Sequence, residues 1–216
     1  MIVMPNSPFN PYWNDCLGCT DPIAANYDSN ATINNGLCVA VAKSVNLFFS
    51  EYSEGTGNNK YFEVFNPSNL IVDLSSYAYP SVSNSPSSPG TYDYWNIFDS
   101  AAIIPPYGTY VVCHPSADPA ILAEADETHA YLSNGNDGYA LVAGDTSYFT
   151  VLDWLGDWDG SPAVGWNVAG VSNATTDHTI VRKCFINQGN SSWSIAAGTN
   201  TSDSEWEVFN LEDWTN

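Results

Sequence analysis

The 216 residues carry 24 Asp and Glu against only 4 Lys and Arg, a formal charge of −20. A phosphate-binding surface needs clustered cations, and Lys43, Lys60, Arg182 and Lys183 are scattered, so nucleic acid is excluded as a partner. Charged residues are nonetheless only 13% and hydrophobic ones 44%, with 8 Trp, 13 Tyr and 9 Phe, which is too apolar for a disordered acidic chain and enough to bury a core.

The chain opens with an apolar stretch, Met1, Ile2, Val3 and Met4, after which Pro5, Pro8 and Pro11 keep the backbone extended. It lacks the charged and long apolar regions of a signal peptide, so no export signal is expected in this chain. Such an arm can lie on its own body or add to an exposed sheet edge of a neighbouring copy, and the second arrangement, which does not close on itself, would generate filaments. Residues 1 to 43 are rich in Asn, Asp and Pro and hold three of the five cysteines, which reads as a loop-built module needing a staple. A bridge from Cys19 to Cys38 would close about 20 residues and contribute roughly 3 kcal/mol. Cys16 to Cys38 is the rival pairing, and a metal site at Cys16 and Cys19 ranks below both because a second ligand pair is missing. Between those cysteines, Asp28, Asn30 and Thr32 place oxygens at alternate positions as calcium loops do, against the alternative of solvated Asx turns. Calcium is the one candidate cofactor.

From Val45 onward short β-branched and aromatic runs alternate with turn signals. Strands are predicted at 45–52, 60–65, 70–74, 95–98, 108–113, 139–142, 149–154, 179–185 and 193–195, so the fold class is all-β, a sandwich or barrel. Within Lys60 to Asn66, Phe62, Val64 and Asn66 share one face, which lets burial fix the register. Residues 80–91, rich in Pro and Ser, read as a long surface loop. Pro105 to Gly108 reads as a turn launching the next strand, and one short helix is predicted at 119–125, capped by Asp118 with Pro119 at its first position. Cys113 and Cys184 both fall in predicted strands, where an intersheet bridge and two buried free thiols are about equally expected. Asp157 and Asp159 form a second candidate calcium site. Trp154, Trp158 and Trp166 cluster in a Gly- and Asp-rich region and are the candidate glycan-stacking residues, weighed against simple packing. His114, His129 and His178 sit in unrelated contexts, no nucleophile elbow, zinc-protease motif or phosphate loop occurs, and no enzymatic activity is expected. No run approaches the roughly 20 apolar residues of a membrane span, and none is expected to insert. Sequons at Asn30, Asn173, Asn190 and Asn200 would carry glycans only in a secreted eukaryotic protein.

Six segments, 47–66, 72–77, 104–112, 132–142, 151–157 and 179–183, resemble in sequence and order the lamin tail domain, more narrowly its bacterial extracellular branch, which is often appended to secreted nucleases and cell-surface proteins. The resemblance covers 45–216. It implies an immunoglobulin-like β-sandwich that binds partners and has no catalytic residues. Residues 18–38, beginning Gly-Cys-Thr-Asp-Pro, resemble a short repeat of secreted microbial proteins, although Ala25 stands where many copies carry a further Cys. Two segments are therefore expected, an arm and repeat at 1–44 and a sandwich at 45–216. Together these features point to a non-enzymatic extracellular or cell-surface structural or adhesive protein, forming homo-oligomers or filaments. The alternatives are a glycan- or calcium-dependent binding module and a virion surface protein.

Overall fold

The computed structural model describes residues 17–22, 24, 26–38, 41–42 and 45–214. The expectations for Met1, Ile2, Val3, Met4 and Cys16 lie outside those residues.

Among the described residues the chain is all-β with two short α-helices. In its first part, β1 (Leu17–Gly18) and β2 (Ile33–Asn34) pair in parallel, and the Cys19–Cys38 disulfide closes this loop-rich segment. Next, β3 (Val41–Ala42), β6 (Ile71–Asp73) and β9 (Ile103–Ile104) make a three-stranded sheet. The largest sheet has six strands in the order β11 (Glu127–Thr128), β10 (Thr109–Cys113), β5 (Lys60–Phe65), β4 (Phe48–Glu54), β14 (His178–Arg182) and β15 (Trp206–Phe209). Its pairs are antiparallel except β10 with β11. A further sheet places β12 (Gly138–Asp145) between β13 (Tyr148–Leu155) on one side and β7 (Tyr77–Ala78) and β8 (Ser81–Val82) on the other.

The alternation read in β5 holds, since Phe62, Val64 and Asn66 are all buried. Asn66 is tolerated at 0% exposure because its amide donates to the carbonyls of Leu70 and Pro105 and its Oδ1 accepts from Ser68. The main core joins Leu47, just before β4, and Phe49, Phe62 and Trp206 of the six-stranded sheet to Tyr139 and Leu141 of β12 and to Trp193. Phe62 is edge-on to Phe49 of the neighbouring strand and to Tyr79, and its ring centroid lies 5.9 Å from that of Tyr139 in β12, which ties the two sheets. Helix α1 (Pro119–Glu124) starts as predicted: the Asp118 carboxylate accepts from the Ala120 amide at 2.9 Å and Ile121 is the buried anchor. The turn before β10 also forms, with the Gly108 amide donating to the Pro105 carbonyl.

Four expectations are corrected. The run at 193–195 is not a strand but the start of helix α2 (Trp193–Ala197). Its buried residues, Trp193, Ala196 and Ala197, follow helical spacing, and Gly198 at φ 64° ends it. Residues 95–98 are irregular, joined to Ala78 by a single bridge at Ile97. The supposed surface loop at 80–91 begins as the buried strand β8, because Pro80 lacks a donor but its carbonyl still accepts from the Ala140 amide. Cys113 and Cys184 are not bridged: Cys113 is buried in β10, whereas Cys184 is exposed on the turn after β14.

Candidate functional site

Strand β13 carries a register shift that shapes one wall of a surface cleft. Leu141 opposes Asp153 and Val142 opposes Val151, so Leu152 is the extra residue of a bulge. A bulge reverses the alternation of faces beyond it. Phe149, Val151 and Trp154 consequently line the same side, while Asp153 turns into the protein. Trp158 meets them from the following loop, edge-on to Trp154 with ring centroids 4.8 Å apart. Tyr92 and Phe149 pack against Trp158 from the other side. The loop at 83–91 is fastened here by a hydrogen bond from the Gly90 amide to the Trp158 carbonyl.

The resulting cleft has a volume of about 430 Å³. Its apolar wall is Phe149, Val151, Trp154, Trp158 and Trp193, and its polar rim is Asp157, Asp159, Ser191, Ser192 and Ser194. Trp154 is half-buried and oriented by donation from its Nε1 to the Ser191 carbonyl at 3.1 Å. Of the three tryptophans singled out in the sequence, Trp154 and Trp158 come together and Trp166 does not. Trp166 packs against Trp193 and donates its Nε1 to the Asp137 carbonyl, filling the space beside Gly156. The serines of the rim were not legible in the sequence: Ser191 and Ser192 precede, and Ser194 lies within, the run at 193–195 that reads as a strand and folds as the start of α2.

Both candidate calcium segments form Asx turns. Asp28 accepts from the Asn30 amide and Asp157 from the Asp159 amide, each at 2.9 Å. Thr32 is exposed. Among the described residues no group of three or more His, Cys, Asp or Glu side chains is arranged to hold a metal. The histidines are less scattered than their sequence contexts imply. His114 and His129 stand side by side beyond β10 and β11, where the His129 amide donates to the Cys113 carbonyl, and burial together with His114 lowers the His129 pKa. His178 is separate, its Nδ1 2.7 Å from the Thr176 carbonyl.

Several carboxyls are held inside the surface. Glu127 accepts from Tyr79, Tyr110 and the Asp99 amide, and Glu51 accepts from Tyr61 while lying directly across from Glu63. Burial raises the pKa of Glu51, Glu127, Asp137 and Asp157. A carboxyl whose folded pKa exceeds its unfolded one holds a proton that the unfolded chain has released, so stability falls as pH rises through that window. Self-repulsion at −20 acts in the same direction. The lowered pKa of His129 opposes this below about pH 6.5, and with the four carboxyls outweighing one imidazole the melting temperature should be higher at about pH 5 than at about pH 7.5, at matched ionic strength. A melting temperature that drops on this acidification would show that other groups dominate.

No helix among the described residues is long and apolar enough to cross a membrane. No protein-family model, curated protein or solved structure matches the chain.

Proposed function

We propose that the chain is a non-enzymatic extracellular adhesive module, a lamin-tail-like, immunoglobulin-type sandwich that holds a glycan in the Trp154 cleft. The observation that carries this reading is the cleft's composition: the edge-on indoles of Trp154 and Trp158 line it together with the carboxylates of Asp157 and Asp159 and the hydroxyls of Ser191, Ser192 and Ser194. Sugars present an apolar face of C–H groups and a polar edge of hydroxyls. An aromatic ring supports the first while acceptors and donors at its margin engage the second. The disulfide of the first segment is compatible with an extracellular setting. Filament assembly through the arm of residues 1–4 is the accompanying proposal. It is favoured by the position of β13, eight residues long and paired among the described residues with β12 alone, at the outer edge of its sheet.

A glycan array followed by titration of the best ligand tests the reading. Trp154→Ala should weaken binding about 2- to 13-fold, the loss of one aromatic contact worth about 0.5–1.5 kcal/mol, with a melting curve to show that the variant, which also loses packing against Trp158, is folded at the titration temperature. Repeating the titration with a chelator reads the calcium expectation at Asp157 and Asp159. Equal affinity in wild type and Trp154→Ala would remove the cleft from glycan recognition.

A further inference from the structure

Lys60 is one of four cations in the chain, and it is nearly withdrawn from solvent, its side chain 8% exposed. It opens β5, directly across the ladder from Glu54, the last residue of β4. The Glu54 side chain is 10% exposed and its Oε1 lies 3.7 Å from Lys60 Nζ. Oε2 of the same carboxylate is pinned by the Asp177 amide at 2.9 Å. Lys60 Nζ donates to Oδ1 of Asn134, 74 residues away in the loop that leads into β12. Because a carbonyl bond is only about 1.2 Å long, a nitrogen held on Oδ1 is next to the amide carbon Cγ.

The loop presents that amide rigidly. Gly135 adopts φ 98°, and a Cβ there would lie 2.0 Å from Thr176 Oγ1, so only glycine permits this approach. The Gly135 amide donates to Ser133 Oγ at 2.9 Å, which also engages the nitrogen that would otherwise attack its own neighbour's amide. Thr175 Oγ1 donates to the Gly135 carbonyl at 2.6 Å and Thr176 Oγ1 to the Asn134 carbonyl. An amine, a carboxamide and a carboxylate are thus fixed within reach of one another, with the amine and carboxylate buried and the carboxamide open to solvent on its far side.

We propose that Lys60 and Asn134 form an intramolecular isopeptide bond, with Glu54 as proton carrier. Lys60 enters as an ammonium with three protons. One passes to Glu54, the freed lone pair attacks Asn134 Cγ, and Glu54 returns the proton to Nδ2. A second proton follows the same route as the tetrahedral centre collapses. The Cγ–Nδ2 bond breaks, the Nζ–Cγ amide remains, and nitrogen leaves as ammonium through the exposed side of Asn134. Atoms and charge balance without oxidant, metal or co-substrate. Proximity is the driver: side chains held in contact replace a bimolecular encounter. The bond would join the first strand pair of the six-stranded sheet to the loop entering β12, a covalent tie between sheets that suits a protein under pull. The proposal is independent of glycan binding.

Intact-mass measurement of the purified full chain tests it. Wild type should be lighter than its sequence by one ammonia, beyond the hydrogens lost to the Cys19–Cys38 bridge, and digestion should yield a branched peptide linking Lys60 to Asn134. Lys60→Arg, Asn134→Ala and Glu54→Gln should each appear at full mass, with circular dichroism reporting on their folding. A wild-type chain at full mass overturns the proposal, as does an ammonia loss that maps to a linear peptide, the mark of a succinimide at Asn134. Because the wild-type mass decides, a variant that fails to fold does not shelter the idea.

Discussion

Asp153→Ala should cost the fold about 3–5 kcal/mol, the range seen when one partner of a buried ion pair is removed. Asp153 is fully buried. Its Oδ2 accepts from Arg182 Nη2 and from the Phe49 amide, and its Oδ1 accepts from the Asn190 amide. Arg182 also donates Nε to the Phe49 carbonyl and Nη1 to Glu205, which in turn accepts from Asn190. The network therefore fastens β13 to β4 and β14 and to the segment at 190. Truncating Asp153 leaves a buried guanidinium with one half-buried partner and orphans two amides. Asp153→Asn keeps the shape and one acceptor oxygen, so its cost should be smaller. Replacing both partners, as in Asp153→Leu with Arg182→Met, should recover much of the loss, because the uncompensated charge goes with them. Equilibrium urea unfolding of the four chains measures this, and an Asp153→Ala chain within about 1 kcal/mol of wild type would mean that the pair contributes no more than a surface one.

The same cations show why a composition of 24 acids and 4 bases is compatible with a packed body. Arg182 is enclosed by Asp153 and Glu205, Lys60 lies between Glu54 and Asn134, and Lys183 Nζ donates to the carbonyls of Thr201 and Ser204. Lys43 lies outside the described residues. Lys60 and Arg182 serve as buried ties, and Lys183, half-buried, ties two backbone carbonyls nearer the surface.

What the sequence made legible was local. The alternation in β5 is a period-2 signal of six residues bounded by turns, and α1 announces itself through Asp118 and Pro119, each acting within two positions. The Cys19–Cys38 bridge followed from spacing, although the rival pairing could be discarded only once the two sulfurs were seen together. Three features escaped, two of them because their cause lies far along the chain and one because it is too short. The bulge at Leu152 is set by the register against β12, so nothing in 149–154 alone says that Phe149 and Trp154 share a side. Helix α2 has five residues, too few for helical periodicity to stand out from a short apolar run. Lys60 and Asn134 are joined across 74 positions. Trp166, grouped with Trp154 and Trp158 by sequence proximity, is drawn to Trp193 by packing instead.

Trp206→Ala should be comparably damaging, about 3–5 kcal/mol, because the indole is fully buried and its removal leaves a cavity that the two sheets cannot collapse. The ring also serves Arg182, whose guanidinium carbon sits 4.1 Å from the ring centroid, and it contacts Trp193 at 6.5 Å. A desolvated cation–π contact adds about 2 kcal/mol. One detail makes the series informative: Trp206 Nε1 is buried without a hydrogen-bond partner. An orphaned buried donor costs about 1–3 kcal/mol, and that cost disappears with the nitrogen. Trp206→Phe keeps an aromatic face beneath Arg182 while deleting the orphan, so it should recover most of the stability lost in Trp206→Ala. Urea unfolding midpoints of the three chains decide the matter. If phenylalanine is as damaging as alanine, shape filling by the second ring outweighs both the orphaned donor and the retained face.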